Sequence, residues 1–187
     1  MPTDASLHPD IRKVLLDEKS LRARIRELGA QISRDYAGRR LMVVGVLKGS
    51  LIFLSDLLRA LSPEVDAVVD FVAVSSYAGN ASTGAIRVLL DLRESPEGRD
   101  VLVVEDIVDT GLTLTSLTET LRARRPRSME VCTLLDKPDC RKIRFEPKYV
   151  GFKIPNEFVV GFGLDFNERY RQLPYVGVLK PAKARDS

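Results

Sequence analysis

The chain has 187 residues, enough for one well-buried domain, and with 44% hydrophobic and 29% charged residues it reads as a soluble globular protein rather than a disordered or fibrous one. Twenty-nine basic residues against 26 acidic ones leave a net charge of +3, which suits an anionic small molecule and falls short of what a nucleic-acid surface asks for. Cys132 and Cys140 lack the spacing of a zinc site or a secreted disulfide framework, and the single histidine, His8, argues against histidine-based catalysis and is assigned a surface role.

In chain order, Leu21, Ile25, Leu28 and Ile32 recur at helical spacing among Arg and Glu, which predicts an amphipathic first helix ending near Gly38. LMVVGV (41–46) is a continuous apolar run of the kind found in strands buried on both faces, and Leu51 to Leu61 reads as a second helix closed by Ser62-Pro63. A β-rich stretch (65–76), a polar glycine-containing loop (77–85) and a strand over 86–92 follow. The next strand begins at Val101, a helix is predicted over about 113–124, and a strand over 129–135. Short strands are predicted near 149–152, 158–162 and 175–179. Strands alternating with helices imply an α/β fold, a twisted and mostly parallel sheet covered on both sides. No run of about 20 apolar residues predicts a membrane span, and MPTDASLHPD lacks the apolar core of a signal peptide, so a cytoplasmic location is expected, with neither membrane nor nucleic acid as partner.

VLVVEDIVDTGLT (101–113) carries the most information. Apolar residues run into the adjacent carboxylates Glu105 and Asp106, and Asp109 then opens a Thr-Gly-Leu-Thr turn that leads into a helical pattern. In an open α/β sheet the ligand crevice lies at the carboxyl ends of the strands, so acids at that point face a ligand. Thr110, Gly111 and Thr113 supply backbone N–H groups and hydroxyls at a helix N-terminus, where an anion is favoured. An ordinary capped helix would also begin with Asp or Thr, but it does not call for two acids upstream at the end of an apolar run. Asp-Thr-Gly also occurs in aspartic proteases, which need an all-β dimer; the helical spacing of Leu114, Leu117 and Leu121 argues against that.

This segment resembles the phosphoribosyl-diphosphate signature of the type I phosphoribosyltransferases, and its form VEDIVDTGLT is most similar to that of the bacterial-type hypoxanthine-guanine branch. The resemblance implies one domain over 1–187, with a core of about 38–145 and a small hood subdomain formed by the N-terminal segment and about 146–187. It implies that Glu105 and Asp106 bind the ribose hydroxyls, that Asp109, Thr110, Gly111, Leu112 and Thr113 wrap the 5′-phosphate, and that Asp109 is the acid/base partner of the purine. Leu112 stands where eukaryotic relatives often carry lysine, so the phosphate site leans on backbone amides and hydroxyls.

Four further segments extend the resemblance over about 40–180. Leu47-Lys48-Gly49-Ser50 is similar to the loop that contacts the diphosphate, with Lys48 as cation and Gly49 allowing close backbone approach; in the family its first peptide is often cis, which is costly outside proline. Ser76 and Tyr77 resemble the Ser-Tyr pair of the mobile loop that closes over the reaction centre and excludes water. Lys137 in LLDKPDC is implied to donate to O6 of a 6-oxopurine, a contact that adenine's amino group cannot accept. In EFVVGFGLDFNERYR, Phe158 is implied to stack on the purine, the Val159 backbone to bond its edge, Asp165 to complete the purine site near Mg²⁺, and Arg171 to bind the diphosphate. Asp165, Glu105 and Asp106 are the implied carboxylates at that magnesium. Asp136, next to Lys137, has no assigned role.

The implied activity is transfer of the phosphoribosyl group from 5-phosphoribosyl 1-diphosphate to hypoxanthine or guanine, by a homodimer or homotetramer. A phosphoribosyltransferase for another base lacks the combination of Lys137 with FVVGFGLDFNERYR. A nucleic-acid-binding sensor of phosphoribosyl diphosphate on the same fold calls for a basic face that +3 does not supply.

Overall fold

The computed structural model describes residues 7–76 and 86–181. In chain order these form β1 (Ile11–Leu16), α1 (Glu18–Asp35), β2 (Arg40–Leu47), α2 (Leu51–Ala60), β3 (Asp66–Ser76), β4 (Ile86–Leu90), β5 (Asp100–Val108), α3 (Leu112–Arg122), β6 (Ser128–Asp136), β7 (Tyr149–Lys153), β8 (Val159–Val160) and β9 (Val176–Leu179). A six-stranded sheet runs in the order β4-β3-β2-β5-β6-β7, parallel throughout except for β4, and a three-stranded antiparallel sheet runs β1-β9-β8.

The continuous apolar runs of β2 and β5 follow from helices on both faces. Leu41, Val43, Leu102 and Val104 pack with α1 and α2 through Leu21, Ile25, Leu28, Phe53, Leu54 and Leu57. The alternate residues Met42, Val44, Val46, Val101 and Val103 pack with α3 through Leu114, Leu117 and Leu121. Burial of each such side chain favours the fold by roughly 1.5–3 kcal/mol. The parallel register sets Val43 beside Val69 and Leu102, which aligns the carboxyl ends of β2, β3 and β5.

Several elements differ from the sequence reading. β1 is a strand the sequence did not announce: its partner β9 lies at the other end of the chain, with Ile11 opposite Leu179. The strand expected over 86–92 ends at Leu90, because Asp91 turns to accept from Leu92 N at 2.8 Å and to pair with Arg124. The strand expected over 158–162 is cut to Val159–Val160 by positive φ at Gly161 (97°), Phe162 (52°) and Gly163 (102°). His8 is not a bare surface residue; it packs edge-on against Tyr170 at 5.2 Å, and its Nδ1 accepts from Asp10 N. The loop over 77–85, with Tyr77, lies outside the described residues.

Candidate active site

Parallel strands deliver most of the predicted groups to one end of the sheet, where β2 gives way to Lys48, β5 to Asp109 and β6 to Lys137. β5 runs past its two acids to Val108, which stands in register with Asp136. Ser76 ends β3 opposite Ile86.

Glu105 is half-buried and Asp106 buried, the latter accepting from Ile107 N at 3.0 Å. Burial, followed by the Asp106 carboxylate beside it, pushes Glu105 well above the ordinary carboxylate range. Burial raises Asp106 as well, partly offset by its hydrogen bonds and by the Arg171 charge. A Cβ at residue 49 would run into the Asp106 carboxylate, so only glycine lets the 47–50 loop pass this close to it.

Asp109, Thr110, Gly111 and Thr113 line a cavity of about 210 Å³ together with Glu105, and Val46 and Leu114 close its apolar side. Gly111, at φ 83°, is the N-cap of α3 and has no side chain to cap it; of the first turn, Leu112 N donates to Thr110 Oγ1 at 3.4 Å. The positive end of the helix is therefore open to an anion. Leu112 contributes its backbone at the start of the helix, and its side chain is partly buried.

Lys137 is buried, and its ammonium lies 3.7 Å from the Asp109 carboxylate. Phe158 is 47% exposed, so one of its faces remains available, while its ring meets Phe166 edge-on at 5.5 Å. Its neighbour Val159 is buried in β8, opposite Val178.

Lys48, whose peptide bond with Leu47 is cis, pairs with Glu168 at 3.1 Å. Arg171 pairs with Asp165 at 2.8 Å and with Glu168 at 3.3 Å, and donates to the Gly163 carbonyl at 2.8 Å. Among the described residues its buried Nε has no hydrogen-bond partner. Asp165 also accepts from Glu168 N at 2.9 Å. Among the described residues no three His, Cys, Asp or Glu side chains converge as a metal-binding group.

Three residues here were missed or left without a role by sequence reasoning. Glu168 links Lys48 to Arg171 yet reads in sequence as one more charge in a turn. Asp136 is buried and paired with Arg141, a loop residue with no periodic signal. Arg141 donates to the carbonyls of Val108 at 2.9 Å, Lys137 at 3.4 Å and Phe145 at 3.2 Å, and also to that of Asp109.

Residues 12–167 match the family model described as the phosphoribosyl transferase domain. Over 176 residues the chain is 51% identical to the hypoxanthine-guanine phosphoribosyltransferase of Staphylococcus aureus, covering 94% of this chain and 97% of that protein. A crystal structure of a hypoxanthine phosphoribosyltransferase from S. aureus superposes with a TM-score of 0.91 at 49% identity, over 97% of this chain and 98% of the other. A hypoxanthine-guanine phosphoribosyltransferase from Bacillus anthracis, with HEPES in its active site, gives 0.88 at 42% identity, over 91% of this chain and 99% of that one.

Proposed function

Because the chain belongs to the phosphoribosyl transferase family, in its hypoxanthine-guanine branch, we propose that it transfers the 5-phosphoribosyl group of 5-phosphoribosyl 1-diphosphate to N9 of hypoxanthine or guanine, giving IMP or GMP and diphosphate. One observation carries this reading: Asp109 lines the anion cavity at the start of α3 and also lies 3.7 Å from Lys137. A single carboxylate thus joins a phosphate cradle to a buried cation suited to a 6-oxopurine.

In this reading the opened N-terminus of α3, with Thr110 and Thr113, holds the 5′-phosphate, and Glu105 and Asp106 accept from the ribose hydroxyls. Lys48 and Arg171 neutralise the departing diphosphate; the unpartnered Arg171 Nε supports this role, since an anion arriving there gains a donor already stripped of water. As the C1′–diphosphate bond breaks, N9 attacks C1′ from the opposite side. Asp109 accepts the proton that N7 gives up as N9 bonds to C1′, while Lys137 donates to O6, and Phe158 stacks on the ring with Val159 along its edge. Ser76 and Tyr77 belong to the segment that excludes water. Catalysis rests on positioning and charge.

Magnesium fits this donor set. Glu105 and Asp106 are neighbouring carboxylates, both raised by burial, so a cation beside them relieves their repulsion, and Asp165 lies next to Arg171 on the diphosphate side. Mg²⁺ is commonly held by one or two carboxylates plus substrate phosphates, in keeping with the lack of a larger acidic cluster among the described residues. Bound there, it supplies charge neutralisation on the diphosphate.

A cytoplasmic location is part of the reading, supported by two free thiols, Cys132 and Cys140; among the described residues no helix is long and apolar enough to cross a membrane. So is assembly into a homodimer or homotetramer, supported by the exposed Val88, Leu89 and Leu90 on β4.

The test is a Mg²⁺-dependent ultraviolet assay with phosphoribosyl diphosphate and, separately, hypoxanthine, guanine, xanthine, adenine and uracil. Turnover of hypoxanthine or guanine but not adenine is expected. Silence with every base, despite tight binding of phosphoribosyl diphosphate, would overturn the enzyme reading in favour of a sensor.

A further inference from the structure

Arg141 lies outside every motif the resemblance uses, yet its guanidinium is the meeting point of the two halves of the site. The side chain is 14% exposed and its ion-pair partner Asp136 is 7% exposed, so the pair sits out of water at the end of β6. One nitrogen, Nη1, donates to the carbonyls of Val108 and Lys137 and to that of Asp109 itself, while Nε donates to Phe145 and Nη2 meets the Asp136 carboxylate. The same Val108 carbonyl accepts from Lys137 N at 2.9 Å, and Lys142 N donates to Thr110 O at 3.0 Å. A Cβ at residue 111 would lie 3.4 Å from Arg141 Cδ, so the arginine stem also packs under the phosphate turn. A planar fork of five donors matches this array of carbonyls; a lysine, with one ammonium on a flexible stem, cannot reach all of them together.

We propose that Arg141, anchored by Asp136, is a positioning residue that fixes the Asp109 backbone relative to Lys137, and so sets the distance between the acid/base carboxylate and the base-selecting ammonium. The inference deepens the proposed function and rests on Asp109 acting on the purine. Arg141 touches no reacting atom; it acts through the main chain of Val108, Asp109 and Lys137. Displacement of a catalytic group by about an ångström costs rate on the order of a hundredfold, which sets the scale of the effect.

The experiment is a double-mutant cycle with Arg141→Lys and Asp109→Asn, reading kcat, KM for phosphoribosyl diphosphate and for hypoxanthine, and thermal melting. Arg141→Lys retains a cation for Asp136, which avoids an unpaired buried carboxylate. In the wild-type background it is expected to lower kcat by about tenfold or more, with a cooperative melt. In the Asp109→Asn background the same substitution is expected to cost less than about threefold, because the group it positions is already disabled. Equal losses in both backgrounds, or wild-type kcat in Arg141→Lys, overturn the proposal. If Arg141→Lys does not fold, Asp136→Asn goes through the same cycle, and the same pair of outcomes decides. Failure of the underlying reading looks different: Asp109→Asn then turns over like wild type, instead of about a hundredfold or more slower.

Discussion

The Lys137 ammonium lies 3.7 Å from the Asp109 carboxylate, the first buried and the second half-exposed. A buried ammonium without a counter-charge is costly, so each group sets the electrostatic environment of the other. In the proposed reaction the lysine recognises O6 and the aspartate works at N7, adjacent positions on one ring. In that reaction, selection of the base and its protonation fall to two groups in direct contact.

Replacement of Lys137 by alanine should lower kcat/KM for hypoxanthine by about tenfold to a hundredfold and narrow the gap to adenine, because the fixed donor that disfavours an amino group is gone. Steady-state rates with both bases check this. An unchanged ratio between them would remove Lys137 from base selection.

Gly49→Ala places a methyl group against the Asp106 carboxylate. We expect a folded protein whose affinity for phosphoribosyl diphosphate with Mg²⁺ drops by about tenfold or more, since either the loop or the acid proposed to bind the ribose must shift. Titration calorimetry measures the loss, and wild-type affinity would show that the loop moves without consequence.

The raised Glu105 and Asp106 give ligand-free stability a definite pH slope. The folded state holds protons that the unfolded chain releases at the ordinary carboxylate range near 4, so stability falls as pH rises from there through the folded values. Glu105→Gln removes most of this slope and raises the melting temperature above wild type at pH 7 to 8, with little difference below about pH 4. Melting curves across this range decide; parallel slopes in the two proteins would contradict the assignment.

Glu168 lies against both cations expected at the diphosphate, and they hold its carboxyl below the usual range, Lys48 first and then Arg171. It therefore competes with the incoming anion. Glu168→Gln should lower KM for phosphoribosyl diphosphate by about two- to fivefold, a modest effect because the Lys48 pair is exposed. A raised KM would mean that Glu168 orients the cations instead.

Much of the proposed site was legible because its chemistry is concentrated in contiguous segments: acids in an apolar strand, Asp-Thr-Gly before a helix, Lys137 after the next strand. Local order translates into spatial order whenever parallel strands end together, as β2, β5 and β6 do here. Arg141 was illegible because all of its partners but Asp136 are main-chain carbonyls, which carry no signature in sequence. β1 was illegible for a related reason: IRKVLL leaves Arg12 and Lys13 exposed, and the strand that completes it lies far along the chain. The strand expected over 158–162 was overestimated because Phe162 adopts positive φ between two glycines, a conformation its apolar character does not suggest.

The small sheet has a consequence for how the molecule is made. Among the described residues β8, which follows the exposed Phe158, pairs with β9, and β9 also pairs with β1 from the opposite end of the chain. All five parallel strands, and with them the proposed phosphate cradle, lie within the residues up to Lys153. The β1-β9-β8 clasp must wait for Leu179. On the proposed assignment, the sugar-phosphate groups of β5 and α3 are thus synthesised before Phe158, the residue proposed to stack on the base.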